Sequence, residues 1–112
     1  MDGTVIVISN NGMGHAPQEL GHKLVLSFLN MLDLGERRPA AICLYGEGVK
    51  LAVSGSPVLE ELNSLAAKGV DVIVCTTCLN HFGLFDDLQA GAAGGMKEIV
   101  DAQWGAAKVI TL

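Results

Sequence analysis

Two cysteines three residues apart, Cys75 and Cys78, are the side chains of this sequence best suited to chemistry. They follow the apolar run at 70–74, and the chain has only one further cysteine, Cys43. A thiol pair at this spacing is compatible with a metal site, a cycling disulfide, the carriage of a sulfur atom, or simple packing. Cys43 lies midway along another apolar run, so we interpret it as a buried side chain.

The residues around the pair favour some of these uses over others. Cys75, Cys78 and His81 give a C-x2-C-x2-H run that His15 could complete, but a second CxxC or HxxxH is absent from the sequence. A zinc site is therefore disfavoured, and we expect neither a metal nor another cofactor. A thioredoxin-like redox motif has this spacing but usually follows a first strand, whereas this pair follows the third.

Sulfur carriage needs an accessible thiol with a lowered pKa. Cys75 lies at the end of a predicted strand and Cys78 in the first turn of a predicted helix at 78–82. Free N–H groups at such a position favour a thiolate, so both cysteines are candidates for this chemistry. Burial without a chemical role remains the alternative.

The loop SNNGMGHAP, residues 9–17, is a second candidate site. Its glycines precede a predicted helix, as in a dinucleotide fingerprint, but Pro17 occupies the place of the third glycine and no Gly-Lys-Ser/Thr follows. Free N–H groups at a helix N-terminus suit a small anion. The alternative is a turn without a binding role, in which the glycines are needed only to adopt positive φ angles. His15 could also stabilise a thiolate or move a proton, and Glu47 is a weaker candidate. The candidate binding residues are Asn10, Asn11, Gly12, Gly14 and His15.

Alternating strands and helices must position these residues. The predicted strands cover 4–8, 40–45, 70–74, 88–90 and 108–112. The predicted helices begin at Pro17, Ser56, Cys78 and Met96. The first helix presents an apolar stripe formed by Leu20, Leu24, Phe28 and Met31 and widened by Val25, Leu29 and Leu32. This alternation predicts an α/β fold, with a mostly parallel sheet and helices on both faces.

The parallel sheet has a geometric consequence for the candidate residues. The carboxyl ends of parallel strands share one edge, where ligands bind. Four segments are therefore predicted to meet there. They are 10–15, 46–48, 75–83 and the Ala/Gly-rich loop 91–95.

Composition excludes several classes of protein. The net charge of −5 and the pI near 4.9 argue against a nucleic-acid partner. Apolar runs fall short of the ~20 residues of a membrane span, and the start, Met1-Asp2-Gly3, lacks the basic region of a secretion signal. Three cysteines are too few for a disulfide scaffold, so a reducing cytoplasm is expected. The mean hydropathy of +0.43 predicts apolar surface for a partner subunit or a sheet covered on both faces.

Four stretches together resemble the DsrE/DsrF-like family, and most closely its YedF-type branch, the sulfurtransferase-like proteins of selenium metabolism. They are VIVISNNGMGH with QELGHKL, YGEGVKLAVSGSPVLEEL, CTTCLNHFGL and KVITL. The resemblance implies one DsrE-like domain over 1–112, a three-layer α/β/α sandwich with about five mostly parallel strands. It also implies homo-oligomers and the relay of sulfur or selenium as a cysteine persulfide, which leaves open whether the chain is a sulfurtransferase or a non-catalytic binding module.

The resemblance also assigns roles to the cysteines. In sulfur-relay members the acceptor cysteine ends the third strand and a glycine follows eight residues later, as Cys75 and Gly83 do here. Cys78 matches the second cysteine of the branch's C-G-T-C form and could resolve the persulfide. Thr76 replaces the glycine of that form, which is expected to narrow access to the Cys75 sulfur or to change the turn. YedF-type chains usually carry a TusA-like domain first; because Met1 nearly adjoins the first strand, the sulfur donor is expected in trans.

Overall fold

Five parallel strands form one sheet in the computed structural model, which describes residues 3–112; the predictions that concern Met1 and Asp2 lie outside the described residues. The strands are β1 (Thr4–Ile8), β2 (Ala41–Leu44), β3 (Asp71–Cys75), β4 (Ala92–Gly94) and β5 (Lys108–Thr111). The α-helices are α1 (Gln18–Leu34), α2 (Leu59–Ala67), α3 (Thr76–His81) and α4 (Met96–Trp104). Two 3₁₀ helices cover Gly46–Ala52 and Phe85–Asp87.

The strand order β4-β3-β2-β1-β5 determines where the helices lie. From β1 to β4 each strand is added beside the previous one in the same direction, and the chain then returns across the sheet to place β5 beside β1. Right-handed crossovers therefore put α1 and α2 on one face and α4 on the other. The predicted α/β fold with a parallel sheet is confirmed, and the sheet is parallel throughout.

The core consists of aliphatic side chains from the central strands. Every residue of β1 and β2 is buried, as expected of β-branched and apolar runs covered on both faces. Cys43 is fully buried in β2, which confirms its predicted packing role. Burial raises the pKa of the Cys43 thiol to about 11, and the nearby negative charge of Asp71 adds to this effect.

Helix α1 buries a different face from the predicted one. Its buried residues are Gly21, Val25 and Leu29, whereas Leu20 and Met31 are exposed. The reason is a close approach between α1 and the loop after β1. A Cβ built on Gly12 would lie 2.9 Å from the backbone of Gly21, so the contact requires a glycine at position 12, whereas a Cβ on Gly21 would lie an ordinary 3.5 Å from Gly12. The helix is thereby turned so that the residues predicted to widen the stripe become its centre.

The fourth strand also differs from the prediction. Residues 88–90 form no strand: Leu88 makes an isolated bridge with Val53, and the N–H groups of Gln89 and Ala90 both donate to Ala52. Instead β4 lies within the predicted loop 91–95 and pairs with the end of β3. Its small side chains suit this edge, because a Cβ on Gly94 would lie 2.8 Å from a methyl group of Ile73. A strand without β-branched residues carries no strand signal in the sequence.

An ion pair joins the ends of α1 and α2 and leads to the first prediction. Asp33 Oδ1 accepts hydrogen bonds from Lys68 Nζ at 2.6 Å and from Ser64 Oγ at 2.8 Å. The bond from Lys68, followed by that from Ser64, lowers the pKa of Asp33 below its ordinary 3.8. We expect Asp33→Asn to reduce the free energy of unfolding by about 1 kcal/mol near neutral pH.

The pH dependence of that loss follows from the sign of the shift. A carboxyl whose pKa is lowered by folding stabilises the protein above its unfolded pKa, and the contribution disappears as the pH falls through the folded value. The difference between wild type and Asp33→Asn should therefore begin to shrink as the pH falls below 3.8, and it should vanish once the pH is below the lowered pKa of the folded protein. Urea unfolding of both proteins at several pH values measures it, and a difference that persists in acid would contradict the account.

Candidate functional site

Cys75 and Cys78 lie at the carboxyl edge of the sheet and are joined by a hydrogen bond. Cys75 is the last residue of β3 and caps α3, and its Sγ accepts the backbone N–H of Cys78 at 3.4 Å. Cys78 Sγ in turn accepts a hydrogen bond of 3.1 Å from the backbone N–H of Gly46. Gly46 is separated from the end of β2 by Tyr45 alone. Two neighbouring strand ends thus position the two sulfur atoms, as the parallel sheet predicts.

The two thiols differ in accessibility. Cys75 is only 1% exposed, whereas Cys78 is half-buried. Thr76 is the first residue of α3, so the helix begins directly after Cys75 rather than at the predicted Cys78. Thr76, at the position where the family form has a glycine, is therefore helical here. Almost none of the Cys75 residue is accessible to solvent.

Helix α3 is too short to acidify Cys78 in the way the sequence suggests. It contains six residues, so few peptide dipoles add up along its axis. Burial raises the pKa of the Cys78 thiol, a side-chain hydrogen bond with Cys75 raises it further, and the Gly46 N–H opposes both. The expected acidified thiol is therefore not found at Cys78.

This shift predicts how fast Cys78 reacts with an alkylating reagent. Only the thiolate reacts, so a raised pKa moves the reaction to higher pH. We expect the alkylation rate of Cys78 to reach half its maximum above pH 9.0, the ordinary value for this thiol. Peptide mapping of samples quenched across a pH series gives the rate for each cysteine. A midpoint well below 9.0 would show that the Gly46 N–H outweighs burial.

Two glycines at this edge have conformations that other residues rarely adopt. Gly46 has a φ of 56° and directs its N–H toward Cys78 Sγ. Gly83 has a φ of 67° and ends the segment that begins at Cys75, with its N–H bonded to the carbonyl of Asn80. The residue at position 83 is therefore a glycine because the chain reverses there in the left-handed region.

The five candidate binding residues of the first loop line one cavity. Its volume is about 520 Å³. The start of α1 and the Glu47 side chain complete the wall. The lining includes neither cysteine, so the loop and the thiol pair occupy adjacent parts of the edge rather than a single cavity. The lining residues are Asn10, Asn11, Gly12, Gly14, His15, Ala16, Pro17, Gln18, Gly21 and Glu47.

Within this cavity the side chains have different surroundings. Asn11 Oδ1 is 3.1 Å from Nε2 of His22, a half-buried pair that fixes the amide. Asn10 Nδ2 donates to the carbonyl of Gly14 at 3.3 Å and holds the loop closed. His15 is exposed at the rim. His22 is not among the predicted site residues, and nothing in its helical position signals the contact with Asn11.

A charged pair connects the cavity to the helix that carries Cys78. Glu47, which lines the cavity, makes a 2.6 Å ion pair with Lys50, whose Nζ lies 4.6 Å from the centre of the Phe82 ring. Lys50 was also missed from the sequence, although its i,i+3 spacing from Glu47 fits a helical turn. Lys50, held above the Phe82 ring, thus places its positive charge beside the Glu47 carboxylate at the cavity wall.

Two features are absent from residues 3–112. No group of three or more histidine, cysteine, aspartate or glutamate side chains is placed to hold a metal ion in this part of the chain. Among the described helices, none has the length and apolar character needed to cross a membrane.

Comparison with known proteins identifies what this chain is similar to. The sequence profile of the DsrE/DsrF-like family matches residues 3–112. A search of the curated proteins found no match. Three solved structures share the fold over nearly the whole chain, at identities that are informative about the fold alone.

These structures are described by their published names. MTH1491 of Methanobacterium thermoautotrophicum, a protein of unknown function, is 24% identical over 97% of both chains, with a TM-score of 0.69. The ychN protein of E. coli is 20% identical over the full length of both chains, with a TM-score of 0.68. BT1422 of Bacteroides thetaiotaomicron, a conserved protein of unknown function, is 17% identical over 97% of this chain and 94% of its own, with a TM-score of 0.68.

Proposed function

Because the chain belongs to the DsrE/DsrF-like family, which is linked to sulfur relay, we propose that it carries sulfur or selenium as a persulfide on Cys75. The observation that supports this most strongly is the hydrogen bond from the Cys78 N–H to Cys75 Sγ at the carboxyl end of β3. This N–H donor holds in place the sulfur that must attack and leave during transfer.

The proposed reaction is a transfer between thiols. The Cys75 thiolate attacks the outer sulfur of a donor persulfide, the sulfur–sulfur bond of the donor breaks, and the donor leaves as a thiolate. Cys78 resolves the product only at the later stage of release: its thiolate attacks the inner sulfur of the Cys75 persulfide, which forms a Cys75–Cys78 disulfide and releases hydrosulfide. A cellular thiol such as glutathione, or a dithiol protein, reduces the disulfide and returns both cysteines to thiols.

The cavity beside the pair receives the donor in this proposal. Asn10, Asn11 and Gly12 are in its wall together with the first turn of α1, whose N–H groups lack intrahelical partners. Gly14 and His15 complete the rim from which a donor group would approach. These polar groups suit a small anionic part of the donor.

The partners follow from the same proposal. A TusA-like carrier is a suitable donor in trans, and a reducing compartment such as the cytoplasm keeps both cysteines as thiols. We also propose a homo-oligomer, because large apolar side chains remain exposed, among them Met31 at 70% and Trp104 at 86%. Light scattering of the purified chain tests this, and a monomer at every concentration would contradict it.

Incubation with a persulfide donor tests the proposed function. The chain is reduced, mixed with glutathione persulfide, separated from the donor and weighed intact by mass spectrometry. We expect a gain of one sulfur atom per chain, which cyanide removes as thiocyanate. A chain that gains no sulfur would overturn the proposal.

A non-catalytic binding module is the second candidate function. It is favoured by the 1% exposure of Cys75 and by the cavity of about 520 Å³, which the cysteines do not line. In that case the cavity binds a small ligand or a partner protein, and the thiols serve packing. The module predicts ligand-dependent stabilisation that is unchanged when Cys75 and Cys78 are both replaced by alanine.

A further inference from the structure

We infer that Cys78, and not Cys75, is the first acceptor of the incoming sulfur atom, and that Cys75 receives it in a second step inside the protein. This inference rests on the proposed persulfide carriage on Cys75 and replaces its direct loading step by two steps, in which the sulfur reaches Cys75 through Cys78. The assignment follows from the different surroundings of the two sulfur atoms, which lie at successive depths from the surface.

Accessibility is the first argument. A donor persulfide must bring its outer sulfur into contact with the attacking thiolate, along with the donor chain behind it. Cys75 is 1% exposed, so its sulfur does not admit such a group unless α3 moves away from β3. Cys78, in the first turn of α3, is only half-buried, so part of this residue is accessible to solvent without any movement of α3. The outer thiol is therefore the one a donor meets.

The hydrogen bonds are the second argument. The N–H of Gly46, which follows the end of β2, donates to Cys78 Sγ at 3.1 Å. The N–H of Cys78 donates to Cys75 Sγ at 3.4 Å. Each sulfur thus has its own backbone N–H donor, and at Cys78 this donor partly offsets the burial that raises the pKa of the thiol. Transfer on Cys75 alone would not involve the hydrogen bond from the Gly46 N–H to Cys78 Sγ.

The two steps balance as ordinary thiol chemistry. In the first, the Cys78 thiolate attacks the outer sulfur of the donor persulfide, and the donor leaves as a thiolate. In the second, the Cys75 thiolate attacks the outer sulfur of the Cys78 persulfide, the bond between that sulfur and Cys78 Sγ breaks, and Cys78 is left as a thiolate. No electrons are gained or lost in sum, so no oxidant or reductant is needed.

The consequence is that the stored sulfur is sheltered. Once on Cys75, the outer sulfur lies behind Cys78 and away from free thiols that would reduce it. The reverse of the second step returns it to Cys78 for delivery. The pair then acts as an outer exchange position and an inner storage position.

A time-resolved loading experiment tests the order. Wild type and the variants Cys78→Ser, Cys78→Ala and Cys75→Ser are mixed with glutathione persulfide, quenched with iodoacetamide at intervals and digested. Fragment spectra assign the added sulfur to position 75 or 78. We expect sulfur on Cys78 first and on Cys75 later in the wild type, and sulfur on Cys78 alone in Cys75→Ser while the donor is present. Loading of Cys75 should slow by about tenfold or more in both Cys78 variants, because it then depends on local opening.

The outcomes separate this inference from the proposed function. If both Cys78 variants, shown by circular dichroism to be folded, load Cys75 at the wild-type rate, the order is wrong while persulfide carriage stands. If the wild type gains no sulfur at either position, the proposed function itself fails. Cys43→Ala is the matched control, because it removes the buried third thiol and should change neither rate.

Discussion

Replacing Cys75 with serine is expected to reduce the cyanide-labile sulfur retained by the chain by about a hundredfold after the donor is removed. The hydroxyl keeps the size of the side chain and can still accept the Cys78 N–H, so α3 keeps its cap. It cannot form a persulfide. The sulfur that remains on the more exposed Cys78 is lost to free thiols during removal of the donor.

The control for this variant is Cys43→Ala, which removes a thiol that is fully buried in β2. It should retain sulfur as the wild type does. The amount of thiocyanate formed on addition of cyanide measures the retained sulfur in the wild type and both variants under the same conditions. Equal retention by Cys75→Ser and the wild type would show that Cys75 is not the storage position.

Replacing Gly48 with alanine is expected to lower the free energy of unfolding by about 3 kcal/mol or more. Gly48 lies in the 3₁₀ helix after β2, and its N–H bonds to the carbonyl of Tyr45. A Cβ at this position would overlap the carbonyl group of Ile8 at the end of β1. The two strand ends can accommodate it only by separating, which would also displace Gly46 from Cys78.

Gly55→Ala is the matched comparison for this effect. Gly55 has a φ of 87°, but a Cβ there would meet no heavy atom within 4 Å. Gly55→Ala should therefore lower the free energy of unfolding only by the conformational cost of a side chain at positive φ, about 1–2 kcal/mol. Urea unfolding of the two variants should show the larger loss for Gly48→Ala; an equal or reversed order would contradict the role assigned to this contact.

Local patterns were sufficient to predict most of the fold. Apolar runs, in part β-branched, locate β1, β2, β3 and β5 to within a residue or two. β4 was not predictable in this way, since its Ala-Ala-Gly sequence has no strand propensity and its pairing with β3 is a tertiary effect.

The buried face of α1 shows the same limit. Apolar side chains surround much of this helix, so spacing alone cannot decide which of them face the sheet. The contact between Gly12 and Gly21, nine residues apart, places the Gly21 face of α1 against the loop, and this tertiary contact is not visible in the spacing. The predicted stripe was wrong for Leu20, Leu24 and Met31, which remain exposed.

The candidate site could be located from the sequence but not described. The rule that parallel strands share a carboxyl edge correctly brings Cys75 and Cys78 to the end of β3 and the loop 10–15 to the end of β1. The hydrogen bond from Gly46 to Cys78 joins residues 32 apart in the chain, and the 1% exposure of Cys75 depends on the packing of α3. Neither leaves a local signature, so the difference between an outer and an inner thiol emerges only in three dimensions.

Fragment-resolved mass spectrometry of the wild type after exposure to glutathione persulfide tests the central claim most directly. The account predicts one added sulfur atom per chain, assigned to Cys75 once the donor has been removed, with Cys78 and Cys43 recovered as free thiols. A chain that gains no sulfur, or one that keeps its sulfur on Cys78 or Cys43 instead, would contradict persulfide carriage on Cys75.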